Sequence, residues 1–535
     1  MNASSFRVTC LIVLACVSAG LAAEDADAVS KPPNIVFFLV DDYDKPETSV
    51  FGGNVLTPNL DRLAREGIAF TNAHMTSTVC TPSRYTCLTG RYAGASTSSK
   101  YLNECPSGTQ ALPAFNVELE PDNMNVGRVL SDHGYATGFV GKYHVGPHID
   151  ESNSDKYGWQ WLDKNVAYTK RVDRRQRHNH RRACELIGER GFTWVDNVYW
   201  GNMKAPFKGH NPEWTIDAAL RFIDEHKDGP FYLHYSTTLL HGPNKEWFRS
   251  LSVPLVTDAG MLDKPLGVMD RSSVMRRIKQ AGLTEDEAGY LWMDDSLGML
   301  LDRLDKHGIA DNTIVLFVAD HGSVHKGSLL KNRGTEVPCL MRWPSGIKGG
   351  IRCDELIQNT DFVATWFDIA NIDLPTGYRL DGISLRPLLA DPKTPIRQYV
   401  YGEMGPARSI KTKSWNYIAL RYTAEQVEAI ESRNRSVRQL MGLNGGVSRA
   451  KSYPDAFDSD QLYDLAADPK EQNNVASNRK NKQQLEIMKQ FLKRELATFK
   501  NRPFGEFIPG GNAVPVDKQG HLASLLKEFA SKYKK

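Results

Sequence analysis

The sequence predicts an α/β fold built on a large, mostly parallel sheet, followed by a smaller C-terminal α+β subdomain. Short apolar runs alternate with amphipathic stretches, and glycines punctuate the ends of those stretches. This alternation changes character near Pro395. With 535 residues, the chain is long enough to bury an extensive core.

Five apolar runs rich in β-branched or aromatic residues are predicted as strands of the large sheet. They cover residues 35–40, 136–140, 231–235, 314–318 and 337–343. Helices are predicted between them at residues 57–67, 125–133, 215–226 and 290–307, where capping residues and terminal glycines mark the ends.

A different pattern is predicted after residue 395. Residues 399–403 and 415–422 have the pattern of a short antiparallel unit, and residues 481–500 that of a charged helix. We therefore expect an N-terminal domain over residues 24–395 and a subdomain with a small antiparallel sheet and terminal helices over residues 396–535.

The first 23 residues have the pattern of a secretory signal peptide, which implies a secreted or periplasmic protein. Arg7 provides the positive start, and residues 8–17 provide an apolar stretch that is too short to cross a membrane. No stable membrane span is therefore expected. Cys16 offers lipoprotein anchoring as an alternative, which is disfavoured because the two residues before it match a lipidation box poorly.

The charge of the chain is nearly balanced, with 66 Lys and Arg against 63 Asp and Glu, so nucleic acid is not an expected partner. One local exception is the basic run at residues 168–182, which is expected to be a solvated insertion able to attract a polyanion. Six cysteines remain beyond the signal peptide, too few for a disulfide scaffold in a chain of this length.

Polar residues follow four of the five predicted strands. They are Asp41 and Asp42, then Lys142 and His144, then His241, and finally Asp320 and His321. Ligands of open α/β sheets bind at the carboxyl ends of the strands, so these side chains are expected to converge on one pocket. The carboxylates among them are hard oxygen ligands that suit Ca²⁺ or Mg²⁺.

Cys80 opens a segment, residues 80–91, that has the pattern of a helix beginning beside a reactive residue. Thr81 is predicted to cap this helix, with Pro82 in its first turn and Gly90 at its end. The N-terminus of a helix attracts anions such as sulfate or phosphate. A disulfide to Cys87 is excluded, because seven helical residues separate the two Cα atoms by about 10 Å. A buried structural thiol is the other reading of Cys80.

The full segment resembles the signature of type I, formylglycine-dependent sulfatases, which belong to the alkaline phosphatase superfamily. Cys-x-Pro-Ser-Arg is followed at matching spacing by Leu-Thr-Gly-Arg. Further motifs of that family resemble residues 33–42, 134–146, 230–243, 312–322 and 462–471. The resemblance implies an alkaline-phosphatase-like sheet sandwiched by helices.

The resemblance also implies roles for individual residues. Cys80 would be converted to formylglycine by a dedicated maturase, and Asp41, Asp42, Asp320 and His321 would bind Ca²⁺, or Mg²⁺, together with residue 80. For His321 the alternative is contact with the nucleophile. Arg84, Lys142 and a further lysine would stabilise the sulfate charge. That lysine is Lys326, with Lys331 as the alternative.

In the mechanism that the resemblance implies, one hydroxyl of the formylglycine hydrate attacks sulfur, and His241 protonates the leaving oxygen. His144 then takes the proton of the second hydroxyl, and sulfate leaves. The sequence thus predicts a secreted sulfatase that acts on a sulfated carbohydrate. Two alternatives stay open: a phosphodiesterase or phosphonate monoester hydrolase of the same superfamily, and a non-catalytic sugar-binding protein.

Overall fold

The computed structural model describes residues 31–163, 166–243, 245–434, 453 and 455–532. The predicted signal peptide and Cys16 lie outside these residues. Within this part of the chain, no helix combines the length and the apolar character needed to cross a membrane.

The strands of the described residues are β1 (Asn34–Val40), β2 (Ile68–Phe70), β3 (Ala73–His74), β4 (Ala136–Lys142), β5 (Trp194–Tyr199), β6 (Phe231–Ser236), β7 (Val256–Thr257), β8 (Gly260–Met261), β9 (Thr313–Ala319), β10 (Cys339–Arg342), β11 (Ile351–Cys353), β12 (Ile357–Gln358), β13 (Val400–Met404), β14 (Ala407–Lys411), β15 (Trp415–Leu420) and β16 (Asp460–Asp464).

The α-helices are α1 (Pro58–Arg65), α2 (Cys80–Thr89), α3 (Ser99–Glu104), α4 (Val126–Asp132), α5 (Lys170–Gly188), α6 (Pro212–His226), α7 (Lys245–Leu251), α8 (Ser273–Gln280), α9 (Ala288–Lys306), α10 (Thr360–Ile369), α11 (Arg386–Ala390), α12 (Ala424–Glu431), α13 (Lys482–Leu496) and α14 (Gly520–Lys532).

The large sheet has eight strands in the order β11-β2-β10-β9-β1-β6-β4-β5. All neighbouring pairs are parallel except those of β10, which runs against both β9 and β2. Central β1 is buried along its whole length, as expected for a strand covered on both faces. This arrangement confirms the predicted α/β class with a mostly parallel sheet.

Helices cover the two faces of the sheet, and alternate residues of β1 show which helices lie where. Phe37 packs against Phe362 of α10 on one face. On the other face Phe38 contacts Tyr235 of β6 at 4.7 Å between ring centroids, and the Tyr235 hydroxyl bonds Thr215 of α6 at 3.0 Å. The sheet is therefore sandwiched by helices, as predicted.

Several predicted boundaries differ from the structure. The helix predicted at residues 215–226 begins earlier, at Pro212, because the Asn211 side chain caps it by accepting from the Trp214 amide. The helix of Cys80 begins at Cys80 itself, so the prediction that Thr81 caps it is wrong; Val79 occupies the cap position and makes no side-chain bond.

The basic run is part of helix α5, which is not a fully solvated insertion. Val172, Ala183, Leu186 and Ile187 are buried on its inner face. This helix leads into β5, an edge strand that the sequence did not single out. Basic residues on the outer face concealed the helical apolar pattern.

The C-terminal part contains the antiparallel sheet β13-β14-β15-β16 and helix α13, which packs Met488, Leu492 and Leu496 against a second core. This sheet also touches the first part of the chain, since the Glu403 amide donates to the Thr76 carbonyl at 2.8 Å. A smaller antiparallel unit is confirmed, while the division at residue 395 stays a prediction.

Candidate active site

Strands β1, β4, β6 and β9 are parallel neighbours, so their carboxyl ends meet at one edge of the large sheet. Helix α2 begins at the same edge with Cys80. The side chains at or after the ends of these four strands are Asp41, Asp42, Lys142, His144, His241, Asp320 and His321. The structure therefore brings the strand-end residues and Cys80 to one place.

Cys80 lies at the centre of this group and is 1% exposed. Its Sγ atom lies 3.4 Å from Asp41 Oδ1 and 3.3 Å from His321 Nε2. The Nζ atoms of Lys142 and Lys326 each lie 3.7 Å from the same sulfur. All six cysteines of the described residues are free thiols, which agrees with the exclusion of a disulfide to Cys87.

Arg84 lies one helical turn after Cys80 in α2 and contacts the carboxylates of Asp41 and Asp320. Its Nε atom donates to Asp320 Oδ2 at 3.0 Å, and Nη2 lies 3.4 Å from Asp41 Oδ1. Nη1 donates to Ser236 and to the Lys142 carbonyl. Burial opposes the charge of Arg84, but Asp320 and Asp41 outweigh it and hold the pKa of the guanidinium above its ordinary value.

Asp41 is a fully buried carboxylate that is kept ionised by its neighbours. Burial alone would raise its pKa, but Lys142 at 2.5 Å and Arg84 lower that pKa well below the ordinary value. The backbone of Asp41 also pairs with Leu239 and Leu240, which fixes the loop of His241 beside the end of β1.

Lys326 is the lysine that reaches the site from the loop after β9. Its Nζ atom lies 2.8 Å and 3.0 Å from the two carboxylate oxygens of Asp42. Lys331, the alternative from the sequence, instead lies 3.7 Å from Glu336. Of the two candidate lysines, Lys326 is therefore the one beside Cys80.

His321 presents one nitrogen to the cluster. Its Nδ1 donates to the Gly322 carbonyl at 3.0 Å, while Nε2 lies 3.3 Å from Asp42 Oδ1 and 3.6 Å from Asp320 Oδ1. Burial lowers the pKa of His321, but Asp320 and Asp42 outweigh it and raise that pKa to about 9. The surroundings of Nε2 thus favour the protonated, positively charged form of His321.

The clustered donor atoms are placed to hold a divalent cation, and two of the four are carboxylate oxygens. One ligand atom each from Asp41, Cys80, Asp320 and His321 lie within 4.8 Å of one another, and all four residues are buried. Three carboxylates of the site face three cations, Arg84, Lys142 and Lys326. Because His321 also favours its protonated form, the cationic side chains outnumber the carboxylates, and the site attracts anions.

Two histidines lie beside the cluster. His144 has a buried Nδ1 without a hydrogen-bond partner among the described residues, and burial, with Lys142 nearby, lowers its pKa well below the ordinary value. His241 is partly buried, and burial lowers its pKa as well. Burial therefore disfavours the charged form of both imidazoles.

A cavity of about 200 Å³ opens from Asp41, Lys142 and His241 toward the loop of residues 201–209. His210 forms part of its wall, bonding Thr238 Oγ1 through Nδ1 at 2.9 Å, and burial lowers its pKa to about 3. The sequence analysis missed His210 because it precedes a helix and does not follow a strand. Its position before Asn211 and Pro212, a helix start, is the signal that places it near the sheet edge.

Asp44 is a second residue that the sequence analysis missed. It is buried, and its oxygens accept from the Ser323 amide at 3.0 Å and from the Ser323 hydroxyl. Burial raises its pKa to about 6. Asp44 thereby holds the loop between His321 and Lys326, and its place two residues after Asp42 is the available sequence signal.

Comparison with known proteins identifies relatives over most of the chain. Residues 33–372 match the family model described as sulfatase. Residues 319–434 match the model described as N-sulphoglucosamine sulphohydrolase, C-terminal.

Individual proteins give the same result. An ulvan-active sulfatase of Formosa agariphila is 27% identical over 474 residues, covering 85% of this chain and 78% of that protein. An N-acetylglucosamine-6-O-sulfatase of Bacteroides thetaiotaomicron is 25% identical over 530 residues, covering 87% of each. A solved structure from a study of glycosaminoglycan metabolism by Bacteroides thetaiotaomicron shares the fold, with a TM-score of 0.59, 22% identity, and coverage of 88% of this chain and 100% of that one.

Proposed function

The chain belongs to the sulfatase family and is a sulfuric ester hydrolase, and we propose that it removes sulfate from a carbohydrate with residue 80 as the nucleophile. The observation that carries this proposal is the position of Cys80. Its buried sulfur lies within 3.4 Å of Asp41 and within 3.3 Å of His321, with two ammonium groups at 3.7 Å. A structural thiol in an apolar core would have no such surroundings.

Conversion of Cys80 to formylglycine by a maturase is part of the proposal. The string Cys80-Thr81-Pro82-Ser83-Arg84 supports it. The hydrated aldehyde supplies one hydroxyl for attack on sulfur and a second whose deprotonation lets sulfate leave. An unmodified thiol has no second hydroxyl, so it has no equivalent route for release.

Asp41, Asp42, Asp320 and His321 would hold a divalent cation together with residue 80. Their mostly hard oxygen donors favour Ca²⁺, with Mg²⁺ as the alternative. When bound, the cation supplies positive charge against the oxygens of the ester group. Arg84 keeps Asp320 and Asp41 in place, since it contacts both carboxylates from a buried position.

Lys142 and Lys326 would bind the non-bridging oxygens of the sulfate ester. Their Nζ atoms lie equally far, 3.7 Å, from Cys80 Sγ. Negative charge shifts among these oxygens during the transfer, and fixed ammonium groups stabilise it without reorganisation.

His241 would protonate the oxygen of the departing alcohol. Burial lowers its pKa, which makes its imidazolium a stronger acid. His144 would accept the proton of the nucleophile in the second half-reaction, and its buried, unpartnered Nδ1 is suited to a bond formed only with substrate or intermediate.

A carbohydrate substrate is supported by the relatives, which are named for ulvan and for N-acetylglucosamine. The cavity beside Cys80 agrees with this assignment. Its wall carries Asn202, Lys208, His210 and Glu246, which donate to and accept from hydroxyl groups. Export across a membrane, guided by residues 1–23, is also proposed and follows from the sequence pattern alone.

The test compares esters with the purified protein produced with and without a formylglycine-generating maturase. Protein from the maturase culture is expected to hydrolyse 4-nitrophenyl sulfate and to release sulfate from at least one sulfated monosaccharide. Protein made without the maturase is expected to be inactive. A higher kcat/KM for bis(4-nitrophenyl) phosphate than for the sulfate would contradict the proposal.

A further inference from the structure

A groove lies between residues 151–163 and the N-terminal half of α5. It is separate from the cavity beside Asp41, Lys142 and His241, which is called the Cys80 cavity below. The groove is open to solvent and has a volume of about 680 Å³. We propose that this groove binds a neighbouring sulfated unit of an oligosaccharide whose terminal ester occupies the Cys80 cavity. The inference rests on the proposed carbohydrate sulfatase function and adds the substrate class: an anionic chain longer than one sugar.

One wall of the groove is basic. Arg171, Arg174 and Arg175 lie on one face of α5, since positions i, i+3 and i+4 of a helix are adjacent. None of the three forms an ion pair within the described residues. Arg171 and Arg174 are also exposed. Uncompensated guanidinium groups bind oxyanions in a planar, bidentate manner, as the oxygens of a sulfate group allow.

The opposite wall is acidic, which narrows the identity of the ligand. Glu151, Asp155 and Asp163 line it, and these exposed carboxylates have no ion-pair partner among the residues described. A nucleic acid carries phosphates along its whole length and would be repelled by this wall. A sulfated sugar presents anionic groups to one wall and hydroxyl groups to the other, where carboxylates accept hydrogen bonds.

Aromatic side chains contribute to the same groove. Trp159 and Trp161 line it, and the indole nitrogen of Trp161 has no hydrogen-bond partner within the described part of the chain. Indole rings offer a large apolar surface, which suits the apolar face of a sugar ring.

The segment that carries the two tryptophans is fixed on α5 by paired hydrogen bonds. The Gln160 amide donates to Asn179 Oδ1 at 2.7 Å, and Asn179 Nδ2 donates to the Gln160 carbonyl at 2.8 Å. Arg182 Nε donates to the Tyr157 carbonyl at 3.1 Å. The groove is thus formed before any ligand binds, which lowers the entropic cost of binding.

Trp200 connects the groove with the Cys80 site. Its ring lies 5.5 Å from that of Trp159, and its carbonyl accepts from the His144 amide at 3.0 Å. Gly146 permits this approach, because a Cβ atom there would lie 2.3 Å from the Trp200 ring. Trp200 therefore contacts both Trp159 in the groove and the backbone of His144 beside Cys80.

The test uses the double variant Arg171→Ala/Arg174→Ala, since alanine preserves the helix. The control is Lys482→Ala/Lys493→Ala, which removes two exposed cations from α13. Hexasaccharides of ulvan, chondroitin sulfate and heparin are the probes, and each is compared with its desulfated form. Binding is measured by calorimetry on inactive Cys80→Ala protein, and turnover on the active enzyme relative to 4-nitrophenyl sulfate.

At least one sulfated hexasaccharide is expected to bind, with an affinity about tenfold weaker in the arginine variant, as loss of two charge-assisted contacts implies. Its kcat/KM relative to that of 4-nitrophenyl sulfate should fall in parallel, while the control variant keeps both values. Equal binding by the arginine variant would contradict the proposed role of the groove and leave the proposed carbohydrate sulfatase function standing. Equal affinity for a single-stranded oligonucleotide would also contradict the role of the groove. If wild-type protein binds and hydrolyses no sulfated sugar but hydrolyses the aryl sulfate, both the groove and the carbohydrate assignment fail.

Discussion

The Nζ atom of Lys326 lies 3.7 Å from the Sγ atom of Cys80 and binds both oxygens of Asp42. This contact links the loop after β9 to the first residue of α2. It also distinguishes Lys326 from Lys331, which lies beside Glu336.

Lys326→Ala is expected to lower kcat/KM for 4-nitrophenyl sulfate by about a hundredfold, because an ammonium group aimed at developing charge is lost. Lys331→Ala serves as the matched control and should retain near wild-type activity. Steady-state kinetics on both variants, with melting temperatures to confirm folding, test the assignment. A larger loss in Lys331→Ala would reverse it.

Cys80→Ala should abolish turnover while the melting temperature stays close to that of the wild type, because a small buried side chain is exchanged for another. Cys87→Ala is the control, because it removes the same residue type from another buried position of α2. It should stay active. Mass spectrometry of the tryptic peptide that ends at Arg84 should show that sulfur and two hydrogens are lost and one oxygen is gained in active wild-type protein, as conversion of the thiol to an aldehyde requires. An unmodified thiol in fully active protein would contradict the proposed nucleophile.

Chelation should inactivate the enzyme and lower its melting temperature, and Ca²⁺ should restore both. A cation at a hundred times its Kd adds about 2.7 kcal/mol to the free energy of unfolding. Asp320→Asn should lose this stabilisation, since Asp320 offers one of the clustered ligand atoms. Differential scanning fluorimetry with Ca²⁺ or Mg²⁺ measures the effect independently of activity. An unchanged Ca²⁺ response in Asp320→Asn would exclude this residue as a ligand.

Asp294 of α9 should make stability depend on pH. It accepts from the backbone amides of Asn59 and Leu60 at the start of α1, and burial raises its pKa from 3.8 to about 7. The folded state therefore holds a proton that the unfolded state has already lost, and the free energy of unfolding falls as pH rises from about 4 to about 7.

Asp294→Asn removes this titration, so its unfolding free energy should fall less steeply over that pH range. Urea denaturation at several pH values measures the difference between the two proteins, in which the contributions of other groups cancel. Parallel curves for the two proteins would show that Asp294 does not titrate in this range.

The sequence predicted the large sheet and the edge at which the site residues meet. The direction of strand β10 could not be predicted in the same way. Four predicted strands that carry polar residues at their ends, including the one before Asp41, are parallel. The fifth became β10, which runs the opposite way, so its carboxyl end points away from Cys80. The polar residues therefore marked which strand ends meet at the site, even though the strand order was not known.

Other features depend on contacts between distant segments, which periodicity does not reveal. Lys326 and Lys331 are equivalent loop lysines until the ion pair with Asp42 is known. His210 enters the cavity wall through a loop, and the amphipathic character of α5 is masked by basic residues. The catalytic and metal-binding roles of the individual residues stay predictions.

Helix α2 has no solvent-facing side: every one of its ten residues is buried. A maturase that oxidises Cys80 has to contact several residues around the thiol, and none of these residues of α2 is accessible in the folded protein. Oxidation, if it occurs as proposed, is confined to the interval between synthesis and collapse of the chain. A fast-folding variant would consequently escape modification, and the fraction of active molecules would report on folding speed as well as on the supply of maturase.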